Sequence, residues 1–170
     1  MPSQSQQAAG LPNASLFVYG YAILHKRFHI SQPVRQALCD KKMNQITEYI
    51  EKLSSLIPEF KEYWESDDAC FNFGDDSTIH GVFSDFSHLV SDGLQNNNLV
   101  NAKDIFIYIE SVVSKGGDPA NAACTCFLEN ILNRTPDTIN PNTFVPYLGV
   151  HSKEFCKGWD KFTGVKTNGL

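Results

Sequence analysis

Ser77-Thr-Ile-His-Gly-Val-Phe-Ser-Asp-Phe-Ser-His-Leu-Val-Ser-Asp-Gly-Leu94 is the stretch that decides the fold class. Its apolar residues Ile79, Val82, Phe83, Phe86, Leu89, Val90 and Leu94 recur at intervals of three and four, which is the repeat of one helix face and not the alternation of a strand. So broad a stripe needs other elements to cover it. Ser77 supplies a side-chain cap for its start, and Asn96-Asn-Asn98 ends it.

The same spacing appears on both sides. Upstream, Met43, Ile46, Ile50, Leu53 and Ile57 form one stripe with Glu48, Glu51 and Lys52 opposite, and Pro58 ends it and opens a short helix over Glu59–Glu65. From Ser66 to Ser77 the pattern is lost, leaving an acidic loop with Asp67, Asp68, Asp75 and Asp76 around Phe71 and Phe73 and a turn at Gly74. Downstream, Asn101 with Asp104 resembles a capping arrangement for a helix over Ala102–Lys115, and Gly116-Gly117 stops it. Ile105-Phe-Ile-Tyr-Ile109 has strand composition, but its length through Val113 and its flanking caps favour a helix. Asp118-Pro119 opens a further helix to about Arg134, with Ala123, Phe127 and Ile131 turned inward. After a loop with Pro136 and Pro141 comes a short turn with Phe144, Tyr147 and Leu148, and then a last helix capped by Ser152. The expectation is an all-α compact bundle of about five to six helices with an irregular N-terminal extension.

Composition sets the domain boundary. Residues 1–42 hold Lys26, Arg27, Arg35, Lys41 and Lys42 against Asp40 alone, a balance of +4, while the whole chain is −5, so residues 43–170 carry −9. The reading is a disordered or non-native extension over 1–42 and one helical domain over 43–170, with Met43, the only methionine besides Met1, as an alternative start of translation. The run Gln32-Pro-Val-Arg-Gln-Ala-Leu-Cys39 can be back-translated to end in GGCGTTATG plus a pyrimidine. That form looks like the recombination site flanking integron gene cassettes, so the extension is expected to be translated recombination DNA of a mobile element. Leu16–Leu24 is apolar but far shorter than the ~20 residues of a spanning helix, and no basic residues precede it as in an export signal. Five cysteines, an odd count at irregular spacing, read as reduced thiols in a cytoplasmic protein, and the sequons at Asn13 and Asn133 as coincidental.

The acidic balance argues against nucleic acid, whose phosphates draw on clustered Lys and Arg, and favours a basic protein partner. The candidate partner-binding residues are Trp64, Glu65, Asp67, Asp68, Asp75 and Asp76, a dense negative patch beside aromatic anchors. Its oxygens do not follow the spacing of a calcium-binding EF-hand loop. Cys124-x-Cys126 is not expected to hold metal, since helical neighbours two apart diverge by about 200°. Asp85-x-x-His88 lies on one helix face, where a carboxylate can orient an imidazole, and His80 or Glu129 are the remaining candidates for a small metal-dependent or hydrolytic enzyme. The blander reading makes Asp85 and His88 part of a polar face with Ser84, Ser87 and Ser91. A general base also needs a nucleophile or substrate pocket, and the sequence identifies neither. No Gly-rich phosphate loop, cofactor site or metal site is expected. The leading expectation is a non-enzymatic binding module, with the enzyme as one alternative and homo-oligomerisation through Phe155, Trp159 and Phe162 as another.

Ala122-Ala-Cys-Thr-Cys-Phe-Leu-Glu-Asn130, Tyr147-Leu-Gly149, Ser152-x-x-Phe-Cys-x-x-Trp-Asp-x-Phe-Thr-Gly-Val165 and the closing Gly169-Leu170 give the second half a distinctive texture. From Met43 to Leu170 the chain resembles a family of small, uncharacterised bacterial helical proteins, some of which look like the immunity partners of secreted toxins. The resemblance implies a helical fold and an immunity-like role, and it carries over no catalytic residues.

Overall fold

The stripe on residues 79–94 is a helix, and most of its residues belong to the hydrophobic core. The computed structural model describes residues 31–170, apart from Pro136 and the side chain of Asp75; residues 1–30, with the apolar run Leu16–Leu24, lie outside the described residues. Two compact units divide the chain, residues 1–37 and residues 38–170. Of the first, residues 31–37 are described, and they form the exposed opening of a helix.

Among the described residues there are seven α-helices and no strand: α1 (Gln32–Leu56), α2 (Glu59–Glu65), α3 (Ile79–Gln95), α4 (Ala102–Val113), α5 (Gly117–Ala122), α6 (Glu129–Arg134) and α7 (Val150–Thr163). A π turn over Ala123–Leu128 joins α5 to α6, so these three segments form the single run expected from Asp118 to Arg134. The fold is therefore all-α. Residues 105–109 are helical, as length and punctuation outweigh their β-branched composition. Helix α1 begins upstream of Met43, and its side chains start to be covered at Met43 and Ile46. None of the described helices is long and apolar enough to cross a membrane.

Helix α3 packs against α2, α5, the π turn and α6. Its stripe is buried apart from half-buried Leu89, and so is much of its polar face: Ser84, Asp85, Ser87 and Ser91 are all buried. Ser87 donates its hydroxyl to the Ser84 carbonyl at 2.6 Å and accepts from Asn130 Nδ2 at 2.9 Å, which keeps its polar atom satisfied away from water. A chain of rings crosses the core, running Trp64, Phe60, Phe86, Phe127, Phe106 and Phe144 with centroids 5.1–6.2 Å apart. These contacts tie α2, α3, the π turn and α4 together, each pair adding about 0.5–1.5 kcal/mol beyond area burial.

The helix starts differ from the sequence expectation in an instructive way. Thr78, not Ser77, caps α3 by accepting from Gly81 N at 3.1 Å, because Ser77 is engaged in the preceding loop. Asn101 makes no capping bond to α4 and instead donates to the Leu56 carbonyl at the end of α1. Ser152 is not the N-cap of α7. That helix starts at Val150 behind Gly149, and its first N–H groups are met by Glu110 from α4, whose carboxylate accepts from His151 N at 2.9 Å and Ser152 N at 2.8 Å. Gly149 lets Glu110 approach, since a Cβ placed there would overlap the Glu110 side chain.

Candidate functional site

The connection between α2 and α3 has no periodic pattern, yet hydrogen bonds brace it throughout. Asn72 donates to the Trp64 carbonyl at 2.7 Å and accepts from Gly74 N and the Ser77 hydroxyl, and the Ser77 hydroxyl accepts from Phe73 N at 2.9 Å. Asp85 reaches up from α3 with no accessible surface and accepts from Cys70 N at 3.2 Å and Phe71 N at 3.0 Å. Gly81 allows this seating: a Cβ there would lie 2.8 Å from Phe71 Cβ and 3.0 Å from the Phe71 carbonyl oxygen.

The braced loop displays Asp67, Asp68 and Asp76 to solvent, with Glu65 exposed at the end of α2; the side chain of Asp75 lies outside the described residues. Phe73 is 63% exposed and Phe71 38%. Trp64 is different. It was expected as an aromatic anchor, but only 5% of it is accessible, because its ring belongs to the aromatic chain beneath the loop. The more exposed of the two loop aromatics beside the acids is Phe73. From Glu62 to Ala102 the sequence holds eight acidic residues and no lysine or arginine, an excess of negative charge in which Asp92 alone is ion-paired, with Arg134, among the described residues. Tyr63 registers it, as burial and then the nearby Asp85 carboxylate raise its hydroxyl pKa.

Asp85 and His88, paired in the sequence by their spacing, are joined by a third group that the sequence did not suggest. Cys70 Sγ, an Asp85 carboxylate oxygen and a His88 ring nitrogen all lie within 4.8 Å of one another. Cys70 is exposed, His88 half-buried and Asp85 buried. Cys70 sits 15 residues before Asp85 in an aperiodic loop, so no motif spacing could have linked them. His80 stands apart, with Nε2 3.0 Å from Asn121 Oδ1 on α5. Glu129 also lies outside the cluster on α6, its pKa raised by burial. The polar face read for Asp85 with Ser84, Ser87 and Ser91 is buried at these four residues.

Cys124 and Cys126 lie in the π turn, half-buried. Burial, then Glu129 and Glu110, push the Cys124 thiol up to about 11, and burial raises Cys126 as well, so both stay protonated at neutral pH. At the C-terminal end, Phe155 and Trp159 are half-buried against the core, whereas Phe162 is 81% exposed with its ring 5.6 Å from that of Trp159. A cleft of about 470 Å³ between the ends of α1 and α3, lined by Ile57, Leu89, Leu99 and Asn101, is not lined by Cys70, Asp85 or His88.

No curated protein and no solved structure matches this chain. One family model does match, over residues 50–164, and it takes in the acidic loop, the Cys70–Asp85–His88 cluster and all of α7. The chain belongs to the family described as a domain of unknown function (DUF7674).

Proposed function

We propose that this chain is a non-enzymatic binding module that captures a basic protein through the loop over residues 66–77. The observation that carries this reading is the display of Asp67, Asp68 and Asp76, together with Glu65, around the exposed Phe73 on a hydrogen-bonded loop. Acidic side chains steer a basic partner and speed its capture, while an apolar ring supplies desolvated contact area. A loop already ordered spends little conformational entropy on binding. An immunity-like role, in which a bacterial protein encoded on an integron cassette neutralises a basic toxin in the cytoplasm, is the form of this function that suits the charge and the family resemblance.

Affinity capture with the full chain, followed by titration of each captured protein in purified form, tests the reading. The expected result is a basic partner whose affinity falls steeply with salt, falls at least about tenfold when Asp67, Asp68 and Asp76 are changed to lysine, and falls with Phe73→Ala. Binding that is indifferent to all four changes rules this loop out as the interface. A second reading, self-association through the exposed Phe162 beside Trp159, is favoured by the 81% exposure of that ring. Light scattering over a range of concentrations decides it, a mass fixed at the monomer value counting against it.

A further inference from the structure

We propose that Cys70 Sγ, the Asp85 carboxylate and a His88 ring nitrogen bind a divalent transition-metal ion of the zinc type, which fastens the acidic loop to α3. This goes beyond the partner-binding reading and does not depend on it. The donor set is a thiolate, an imidazole and a carboxylate, which suits a borderline-soft ion such as zinc and is a poor match for calcium or magnesium.

The geometry is close to closed. Tetrahedral zinc with bonds of about 2.0–2.3 Å places its ligand atoms about 3.3–3.8 Å apart. The three donors already lie within 4.8 Å of one another, so closing the site asks for at most about 1–1.5 Å of movement. Two of the three are free to make it. Cys70 is exposed and its Sγ is held only by a long 3.8 Å contact to the Asp68 carbonyl, and the His88 ring has no hydrogen-bond partner among the described residues.

Charge argues independently for a cation. Asp85 is fully buried, and among the described residues no basic side chain is within ion-pair distance of it. Among the described residues, two backbone N–H groups are its only hydrogen-bond donors. Such a carboxylate is costly to bury unless a positive charge joins it, and each of its oxygens keeps a lone pair for a metal after accepting one N–H bond. The same N–H bonds fix the orientation of the carboxylate, as second partners of metal ligands do. Three protein ligands leave a fourth position for water or another ligand. Because Cys70 belongs to the loop and Asp85 and His88 to α3, the ion would cross-link the two elements.

The test uses the full chain, reduced and stripped with a chelator, then titrated with Co²⁺ as a spectroscopic stand-in. The expected result is saturation at one equivalent, with visible bands of a tetrahedral ion and a near-ultraviolet thiolate-to-cobalt band, both removed by added Zn²⁺. Cys70→Ser abolishes the thiolate band, His88→Gln weakens binding at least about tenfold, and Cys39→Ser changes nothing. Circular dichroism of each variant confirms that it is folded. Either the absence of any saturable spectrum or a thiolate band that survives in Cys70→Ser overturns the proposal. Partner binding, measured separately on the metal-free chain, keeps the two readings distinguishable.

Discussion

Glu110 accepts two hydrogen bonds from Ser152 through one oxygen, Oε2, from the backbone N–H at 2.8 Å and from the hydroxyl at 2.6 Å. Its other oxygen accepts from His151 N and lies 2.8 Å from His151 Nδ1. A side chain on α4 thus completes the first turn of α7, 42 residues later. Burial tends to raise the Glu110 pKa, but the bonds from Ser152 and His151 outweigh it and hold the carboxyl at about 2. Glu110→Gln is expected to cost about 1–2 kcal/mol at neutral pH, by analogy with the loss of a helix cap. Because folding lowers this pKa, the contribution is complete above about 4.5 and is lost as pH falls towards about 2. Urea unfolding of both proteins from pH 7 to pH 2.5 checks this, and a stability difference that stays constant across that range contradicts it.

Gly149→Ala attacks the same contact from the other side. The new methyl would overlap Glu110, whose side chain is flexible but held by the bonds it would have to give up. A loss of about 1–3 kcal/mol is expected. In the double variant with Glu110→Ala the losses should fall short of additive by at least about 0.5 kcal/mol, since both remove one interaction. Strict additivity in a double-mutant cycle would mean that the glycine matters for another reason.

How the loop is seated can be tested without reference to metal. Gly81→Ala pushes Phe71 from α3, and Asp85→Ala leaves the Cys70 and Phe71 N–H groups without their acceptor. Each is expected to cost about 1–3 kcal/mol. Each should also open residues 66–77 to limited proteolysis faster than α3 itself. Fragments mapped by mass spectrometry decide it, and cleavage at the wild-type rate would show that other bonds hold the loop.

What the sequence showed and what it concealed follow from the range of the forces involved. The spacing of Ile79, Val82, Phe83 and Phe86 is a local property of one helix, and so was legible. The seating of Asp85 was not legible because its partners are the backbone N–H groups of Cys70 and Phe71, which leave no mark in side-chain identity. Ser152 was read as a cap because capping residues are normally local, whereas the acceptor comes from another helix. In the seven residues of α2, Trp64 could not be assigned to an inner or an outer face by periodicity; it is buried with its ring beside that of Phe60. The acidic loop was visible as composition, but the convergence of Cys70 with His88 was not, being a matter of chain path.

Thiol chemistry offers a further measurement. Cys39 and Cys70 are exposed, while burial, followed by the neighbouring Cys124 and Asp160, pushes the Cys156 thiol up to about 12. With Cys124 raised to about 11 and Cys126 also raised, the reduced native protein is expected to react rapidly with a thiol reagent at two sites near pH 8, and at five after denaturation. Rapid native reaction at four or five sites would show that the π turn and α7 open far more readily than their burial implies.

The polar atoms enclosed around α3 limit how that helix can be set among its neighbours. A helix wrapped in apolar side chains has alternative seatings of similar energy, reached by a turn about its axis or a slide along it. Turning α3 by the 100° of a single residue would carry Asp85 away from the two N–H groups and Ser87 away from Asn130. Each group stranded in this way costs about 1–3 kcal/mol, so rival seatings lie several kcal/mol above the native one. These few hydrogen bonds act as an index mark on α3, and they select one alignment from the several that its apolar residues alone would tolerate.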